Sequence, residues 1–330
     1  MGSDASRCIP VVPPRRAAYD DAVMRSTTET ARKAARPTLD ELALAPGKRA
    51  RLHRMMYEHG CRNGTLLVLP IDQGLEHGPI DFLVNPPAAN PEYQFELATL
   101  GGYNAIACQI GFAETYWPKY AGQIPLVLKL NGKTNIPPDD EPLSPLNGTV
   151  EDAVRLGADA VGYTLYLGSA RQEEDFLQLS AVREECVRAG MPLIMWGYPR
   201  GAWVEKKGGR DSLYAIDYAA RVAMELGVDV VKLNYPKHSE KDKDQPKPYA
   251  EMEWDLAEGA RRIVASAQKT PVIFSGGSKV SDEDLLEKVR VGMEAGGTGL
   301  IFGRNMWQRP MDEALEITRR VKEVLAEFSG

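Results

Sequence analysis

Histidine and cysteine are scarce in this chain, and their placement excludes more than their number does. His53, His59, His77 and His238 show no spacing that would aim two imidazoles at one ion, so a bound metal is not expected. Cys8, Cys61, Cys108 and Cys186 form no Cys-x-x-Cys pair, which argues against zinc ribbons and dithiol centres and for a reducing cytoplasm. No apolar run approaches the roughly 20 residues of a membrane span, so no membrane partner is expected. Excess positive charge is missing too. A net charge of -6 offers no broad basic field to nucleic acid, and any anion must be met at a local site. There is no P-loop, no Gly-x-Gly-x-x-Gly after the first strand and no Gly-x-Ser-x-Gly elbow, and no cofactor is expected. Arg7, Arg15 and Arg16 lack the apolar stretch of a secretory signal. Residues 1–38, a mixture of Pro, Ser, Thr, Arg and Ala, read as a tail, with a short helix over 20–35 as its one structured option.

What the chain does have is size and alternation. Its 330 residues, 43% of them hydrophobic, can bury a large core, and 39–330 is assigned to a single catalytic domain. From residue 66 onward, short β-branched or apolar runs alternate with longer helical patterns. The expected strands are 66–72, 104–110, 126–130, 160–163, 193–196, 228–233, 272–275 and 299–302. Eight βα units predict an α/β fold, a (β/α)8 TIM barrel with an N-terminal helical extension. A helix over 39–62 would cap the barrel bottom, and 309–328 would be the last outer helix. Helix-to-strand connections are short, whereas 73–90, 131–149, 197–212 and 234–250, which follow strands, are long and polar. The carboxyl ends of the strands are therefore where a barrel site is expected. A doubly wound open sheet would alternate in the same way, and the pattern alone does not separate the two.

Lys232 stands out in Val228-Asp-Val-Val-Lys-Leu-Asn-Tyr-Pro236, a run too apolar for a surface strand. Alternation puts Val230, Lys232 and Asn234 on one face and Val231 and Leu233 on the other. Pointed into the barrel, Lys232 would lose its hydration and become a neutral, nucleophilic amine. The competing reading is a lysine that snorkels from the strand end or pairs with a carboxylate. Trp196 and Tyr198, two apart where a strand meets a Pro/Gly turn, can share a face beside Lys232, Tyr198 as a proton donor and Trp196 as a wall against water, or both can be packing aromatics. Asp72 ends the first strand, placed to bind sugar hydroxyls, to hold a lysine charge or to cap its loop. Lys129 ends the third strand, where it pairs with Asp72, lowers the Lys232 pKa or snorkels outward, and it is counted among the substrate- and phosphate-binding candidates. Glu76 is a weaker candidate, and His77 is expected to brace its loop rather than act as a base. After the seventh and eighth strands come two glycine turns, Phe274-Ser-Gly-Gly-Ser-Lys279 and Phe302-Gly-Arg-Asn305. Ser275, Gly276, Gly277, Gly303 and the side chains of Lys279 or Arg304 can cradle an oxyanion there. The charged stretch 237–247 reads as a solvated loop.

Taken in order, seven segments resemble the archaeal-type class I fructose-bisphosphate aldolases. They are Ile71-Asp-Gln-Gly-Leu-Glu-His-Gly-Pro79, Lys129-Leu-Asn-Gly-Lys-Thr134, Ala160-Val-Gly-Tyr163, Trp196-Gly-Tyr-Pro-Arg-Gly201, Val231-Lys-Leu233, Ser275-Gly-Gly277 and Gly303-Arg-Asn305, spanning about 65 to 310. The resemblance implies that Lys232 forms a Schiff base, that Tyr198 transfers protons, that Trp196 and Asp72 shape the substrate site and that the glycine turns bind phosphate. It also implies a phosphorylated ketose and triose phosphates as reactants, and a homo-oligomer built on pentameric rings or decamers. Two departures stand out: many members read Asp-His-Gly where this chain has Asp72-Gln73-Gly74, and the loop 237–250 is longer than in compact relatives. The rival expectations are another Schiff-base lyase or transferase acting on a different phosphorylated sugar, and a non-catalytic sugar-phosphate-binding protein.

Overall fold

Eight short strands, each apolar along nearly its whole length, pair in parallel and in chain order until the last closes on the first. The computed structural model describes residues 36–328. The strands are β1 (Leu66–Pro70), β2 (Ala105–Gln109), β3 (Leu126–Lys129), β4 (Ala160–Leu167), β5 (Leu193–Pro199), β6 (Val230–Leu233), β7 (Val272–Ser275) and β8 (Gly299–Ile301). Pairing of Leu66, Leu67 and Val68 with Gly299, Leu300 and Ile301 closes the barrel and rules out the open doubly wound sheet. Closure needs a glycine: a Cβ on Gly299 would stand 1.9 Å from the Leu66 carbonyl oxygen.

The helices are α1 (Pro46–His53), α2 (Gln73–His77), α3 (Pro91–Leu100), α4 (Ile110–Thr115), α5 (Val150–Arg155), α6 (Gln172–Ala189), α7 (Ala202–Glu205), α8 (Leu213–Glu225), α9 (Leu256–Ala267), α10 (Asp282–Glu294), α11 (Arg304–Trp307) and α12 (Met311–Ala326). Their starts follow from side-chain capping, with Ser212, Asp255 and Ser281 each accepting a first-turn backbone N–H of α8, α9 and α10. The expected cap over 39–62 is α1 followed by a π turn over Arg54–Glu58. The helix expected over 20–35 lies outside the described residues. Among the described residues no helix is long and apolar enough to cross a membrane.

Strand alternation divides the core in two. Leu66, Val68, Ala105, Ala107, Val127, Ala160, Ile194, Trp196, Val230, Ile273 and Ile301 pack together inside the barrel, floored by Leu52, Met55 and Met56. Their neighbours, such as Leu67, Val231 and Leu233, pack outward against the helices. The floor is tied down by Lys48 of α1, which donates to Asp229 Oδ2 at 2.6 Å, and the same oxygen accepts the Leu193 N–H at 2.8 Å. Two strands run further than expected. β4 and β5 continue past 163 and 196 because Tyr166 and Leu167 pair with Tyr198 and Pro199, and a proline at a strand's last residue breaks no needed ladder bond. That extension carries the Tyr198 ring up to the mouth of the barrel.

Candidate active site

β6 delivers Lys232 to the barrel interior, as its alternation requires. In register Lys232 lies between Trp196 of β5 and Ile273 of β7, and its side chain is 3% exposed. Its Nζ donates to Tyr198 Oη, and Asn234 Oδ1 lies 3.4 Å away on the same strand face. Asn234 in turn donates to Asp211 Oδ1 at 3.0 Å and accepts from Ser275 Oγ at 2.6 Å, which links the amine to β7. Burial strips the ammonium of water and lowers the Lys232 pKa to about 7; Asp72 and Glu76 pull it back up, while Arg200 and Lys129 add to the fall. At neutral pH a large fraction of this amine is therefore unprotonated and nucleophilic.

Lys129, the other lysine on the barrel's inner face, has the opposite fate. It is fully buried, but its Nζ donates to Glu76 Oε1 at 2.7 Å and to Asp72 Oδ2 at 3.2 Å, and lies 5.1 Å from the Trp196 ring centroid. Burial works against its charge; Glu76 and Asp72 outweigh burial and hold Lys129 above the ordinary lysine range. Lys129 was expected among the groups that bind substrate and phosphate, and the structure does not bring it to the cavity lining. Its ammonium is engaged beneath the cavity, where it fixes two carboxylates and contributes a constant positive charge to the field at Lys232. Room for Trp196 comes from Gly162, whose missing Cβ would fall 2.6 Å from the indole.

Tyr198 is pushed well above the usual tyrosine range by burial first, then by Glu76 and Asp72. It is protonated at neutral pH, and its phenolate, once formed, is a strong base. Tyr166 of β4 stacks near it, ring centroids 6.5 Å apart. His77 Nδ1 donates to Asp81 Oδ2 at 2.7 Å, the loop-bracing contact expected of it.

These groups line a cavity of about 570 Å³, within the range of small-molecule sites. Ser275, Gly276, Gly277, Gly303 and Arg304 border it as well. Among the described residues, the backbone N–H groups of Gly276, Gly277 and Gly303 donate to no other backbone group, which leaves them free for an anion. Asn305 staples the two turns together: its Nδ2 donates to Gly276 O at 3.4 Å and Ser278 O at 3.2 Å, and its Oδ1 accepts Val280 N–H at 3.0 Å. Lys279 is not brought to this site. Its ammonium donates to Gln308 O at 2.9 Å and lies off the cavity lining, because the turn after β7 carries it outward toward the end of α11. Sequence reading passed over Tyr166, Arg200, Arg210, Lys133 and Asp139. Signals existed for Lys133 and Arg200, which stand inside segments that resemble the aldolase family, and for Asn234, two residues beyond Lys232 on its face.

A closed parallel barrel that buries a lysine of lowered pKa beside a protonated tyrosine, with anion-ready turns after its last two strands, is the framework of an enzyme that works through an amine nucleophile. The chain belongs to the DeoC/LacD family of aldolases, whose model matches residues 66–309. It is 40% identical over 265 residues to a class 1 fructose-bisphosphate aldolase of Thermoproteus tenax, covering 80% of this chain and 90% of that one. It is 31% identical over 269 residues to a 2-amino-3,7-dideoxy-D-threo-hept-6-ulosonate synthase of Halobacterium salinarum, covering 82% and 88%. Among solved structures it is similar to an archaeal fructose-1,6-bisphosphate aldolase with its catalytic lysine covalently bound to the carbinolamine intermediate of the substrate. That match has 38% identity and a TM-score of 0.70 and covers 83% of this chain and 99% of the other.

Proposed function

We propose that the protein is a class I fructose-bisphosphate aldolase with Lys232 as its Schiff-base residue. The observation that carries the reading is the buried Lys232 amine in hydrogen-bond contact with Tyr198. Neutral Lys232 attacks C2 of fructose 1,6-bisphosphate to give a carbinolamine. Tyr198 protonates its departing hydroxyl, leaving an iminium and a phenolate. The phenolate takes the C4 hydroxyl proton, the C3–C4 bond breaks into the iminium, and glyceraldehyde 3-phosphate leaves. Tyr198 then protonates C3 of the enamine, and water hydrolyses the new iminium to dihydroxyacetone phosphate and free Lys232. A high tyrosine pKa suits this cycle, since the acid is present at rest and the base arises only within it. Asp72 and Glu76, fixed by Lys129, accept from sugar hydroxyls, and Trp196 walls off water.

One phosphate sits on the turns after β7 and β8. For the other, Lys133, Arg200 and Arg210 gather around Asp139 across the barrel, at 2.8, 3.8 and 3.9 Å, and Lys237 pairs with Asp211 at 3.1 Å. The wild-type enzyme should cleave fructose 1,6-bisphosphate in the presence of EDTA, and borohydride with dihydroxyacetone phosphate should label Lys232, located by peptide mass spectrometry. A label elsewhere, or activity lost to EDTA and restored by zinc, rejects the mechanism. The second reading, a Schiff-base transferase acting on a different phosphorylated sugar, is favoured by the likeness to the Halobacterium synthase; turnover of another donor with none of fructose 1,6-bisphosphate would select it.

Arg304 offers a sharper test of the phosphate site. Its Nη1 stands 3.9 Å from Asp81 Oδ2, beyond hydrogen-bond reach, so its donors remain available to a ligand. A charged hydrogen bond of about 1.5–3 kcal/mol makes Arg304→Ala raise KM for fructose 1,6-bisphosphate roughly ten- to hundredfold. Weak activity on an unphosphorylated ketose should change little, and so should Tm. Equal losses on both substrates together with a lower Tm would mean that Arg304 only holds its loop.

A further inference from the structure

Gln73, the first residue of α2, follows directly on Asp72 and reaches across the cavity mouth to the turn after β8. A Cβ on Gly303 would lie 2.7 Å from Gln73 Nε2, so the amide occupies the space that the glycine leaves open. Gln73 Oε1 is buried without a hydrogen-bond partner. The amide is half-buried, with its Oε1 enclosed and its Nε2 turned to the glycine turn, where its N–H groups can meet a ligand. Three other polar side chains at this end are engaged, Ser275 Oγ on Asn234, Lys279 on Gln308 O, and Asn305 on the backbone of both turns, whereas Arg304 keeps its donors for a ligand. Gln73 borders the same cavity as Gly276, Gly277 and Arg304. The free N–H of Gly303 lies on the turn that the amide touches.

We infer that Gln73 is a phosphate-recognition residue: its Nε2 donates to an oxygen of the phosphate seated on Gly303. A phosphate offers only acceptors near neutral pH, so it selects the amide orientation with Nε2 toward Gly303, the one present. The inference rests on the aldolase reading and adds a specificity determinant to it. A neutral amide supplies a donor whose strength does not change with pH, unlike an imidazole in its place, which would gain charge below about pH 6.5.

The test uses borohydride trapping on Lys232, which requires only the amine, and compares dihydroxyacetone phosphate with unphosphorylated dihydroxyacetone. Gln73→Leu should raise the half-saturating concentration of dihydroxyacetone phosphate about tenfold, the worth of one hydrogen bond to a charged group, and that of dihydroxyacetone less than about twofold. Gln73→Glu, which sets a second anion against the phosphate, should raise the first value further than Gln73→Leu and again spare the second. Equal shifts for both ligands, or a Gln73→Glu protein that takes dihydroxyacetone phosphate as well as wild type does, overturns the inference. If Gln73→Leu does not fold, as read by circular dichroism, Gln73→Glu decides alone. Wild-type protein that is not trapped by either ligand would instead reject the aldolase reading itself.

Discussion

Lys232→Met should eliminate turnover, by more than about four orders of magnitude, and should eliminate borohydride trapping with it, since no other group can form the iminium. The fold should survive. Methionine nearly matches the lysine in length, and at neutral pH the site already stabilises the uncharged form. The same buried amine sets the pH response of the wild type. With a pKa near 7 about three-quarters of Lys232 is neutral at pH 7.5, against about one part in a thousand for an exposed lysine. Trapping should therefore rise with pH through about 7 and level off above it. The sign carries over to stability. Because the folded-state pKa lies below the unfolded one, the unfolded chain binds the extra proton between about pH 7 and 10.5. Below that window the buried amine carries its proton and burial of the ammonium costs stability, and the cost fades as pH rises through the window. In Lys232→Met this rise, read from the pH dependence of Tm, should flatten. Normal cleavage by Lys232→Met, or a trapping profile that rises only near pH 10, would remove Lys232 from its role.

Tyr198→Phe should separate binding from proton transfer. The ring remains at its place in β5, stacked near Tyr166, and only the hydroxyl is lost. Cleavage should slow by roughly two to four orders of magnitude, the usual worth of a positioned acid or base. Lys232 can still attack the carbonyl, so measurable trapping should persist, and a far-ultraviolet spectrum like that of the wild type should show the barrel intact. Loss of the Lys232 Nζ contact to Tyr198 Oη also removes an acceptor from the amine, which favours its neutral form. Near wild-type cleavage by the Phe variant would show that another group moves the proton, with Glu76 the first to examine because it lines the same cavity.

The strands were legible because their evidence is local, whereas closure into a barrel was not. A strand of four or five residues with both faces buried reads as a short apolar run, and period-two alternation alone turned Lys232 inward and Val231 outward. Short turns before strands and long loops after them marked the working end. The glycine turns after β7 and β8 were visible for the same reason, since an unpaired N–H there depends on the residues of the turn itself.

What the chain could not disclose along its length was which buried lysine is neutral. Lys129 and Lys232 occupy similar apolar strands, and local sequence treats them alike. Their charges differ because Lys129 meets Asp72 and Glu76, 57 and 53 residues away in sequence, while Lys232 meets a phenol from β5. Only strand pairing and the curl of the sheet bring those partners together, and electrostatic energy in a low-dielectric interior falls steeply with distance, so a few ångströms decide the protonation state. Lys279 and Tyr166 teach the same lesson in opposite senses: one was placed at the phosphate by its neighbours in sequence and spent on Gln308 by the path of its loop, and the other lay beyond the expected end of β4 and was carried to Tyr198 by strand pairing. Residue type and spacing determined the eight βα units, their working face and the inward lysine; contacts between distant segments closed the barrel and determined the charge on that lysine and the set of groups that share its cavity.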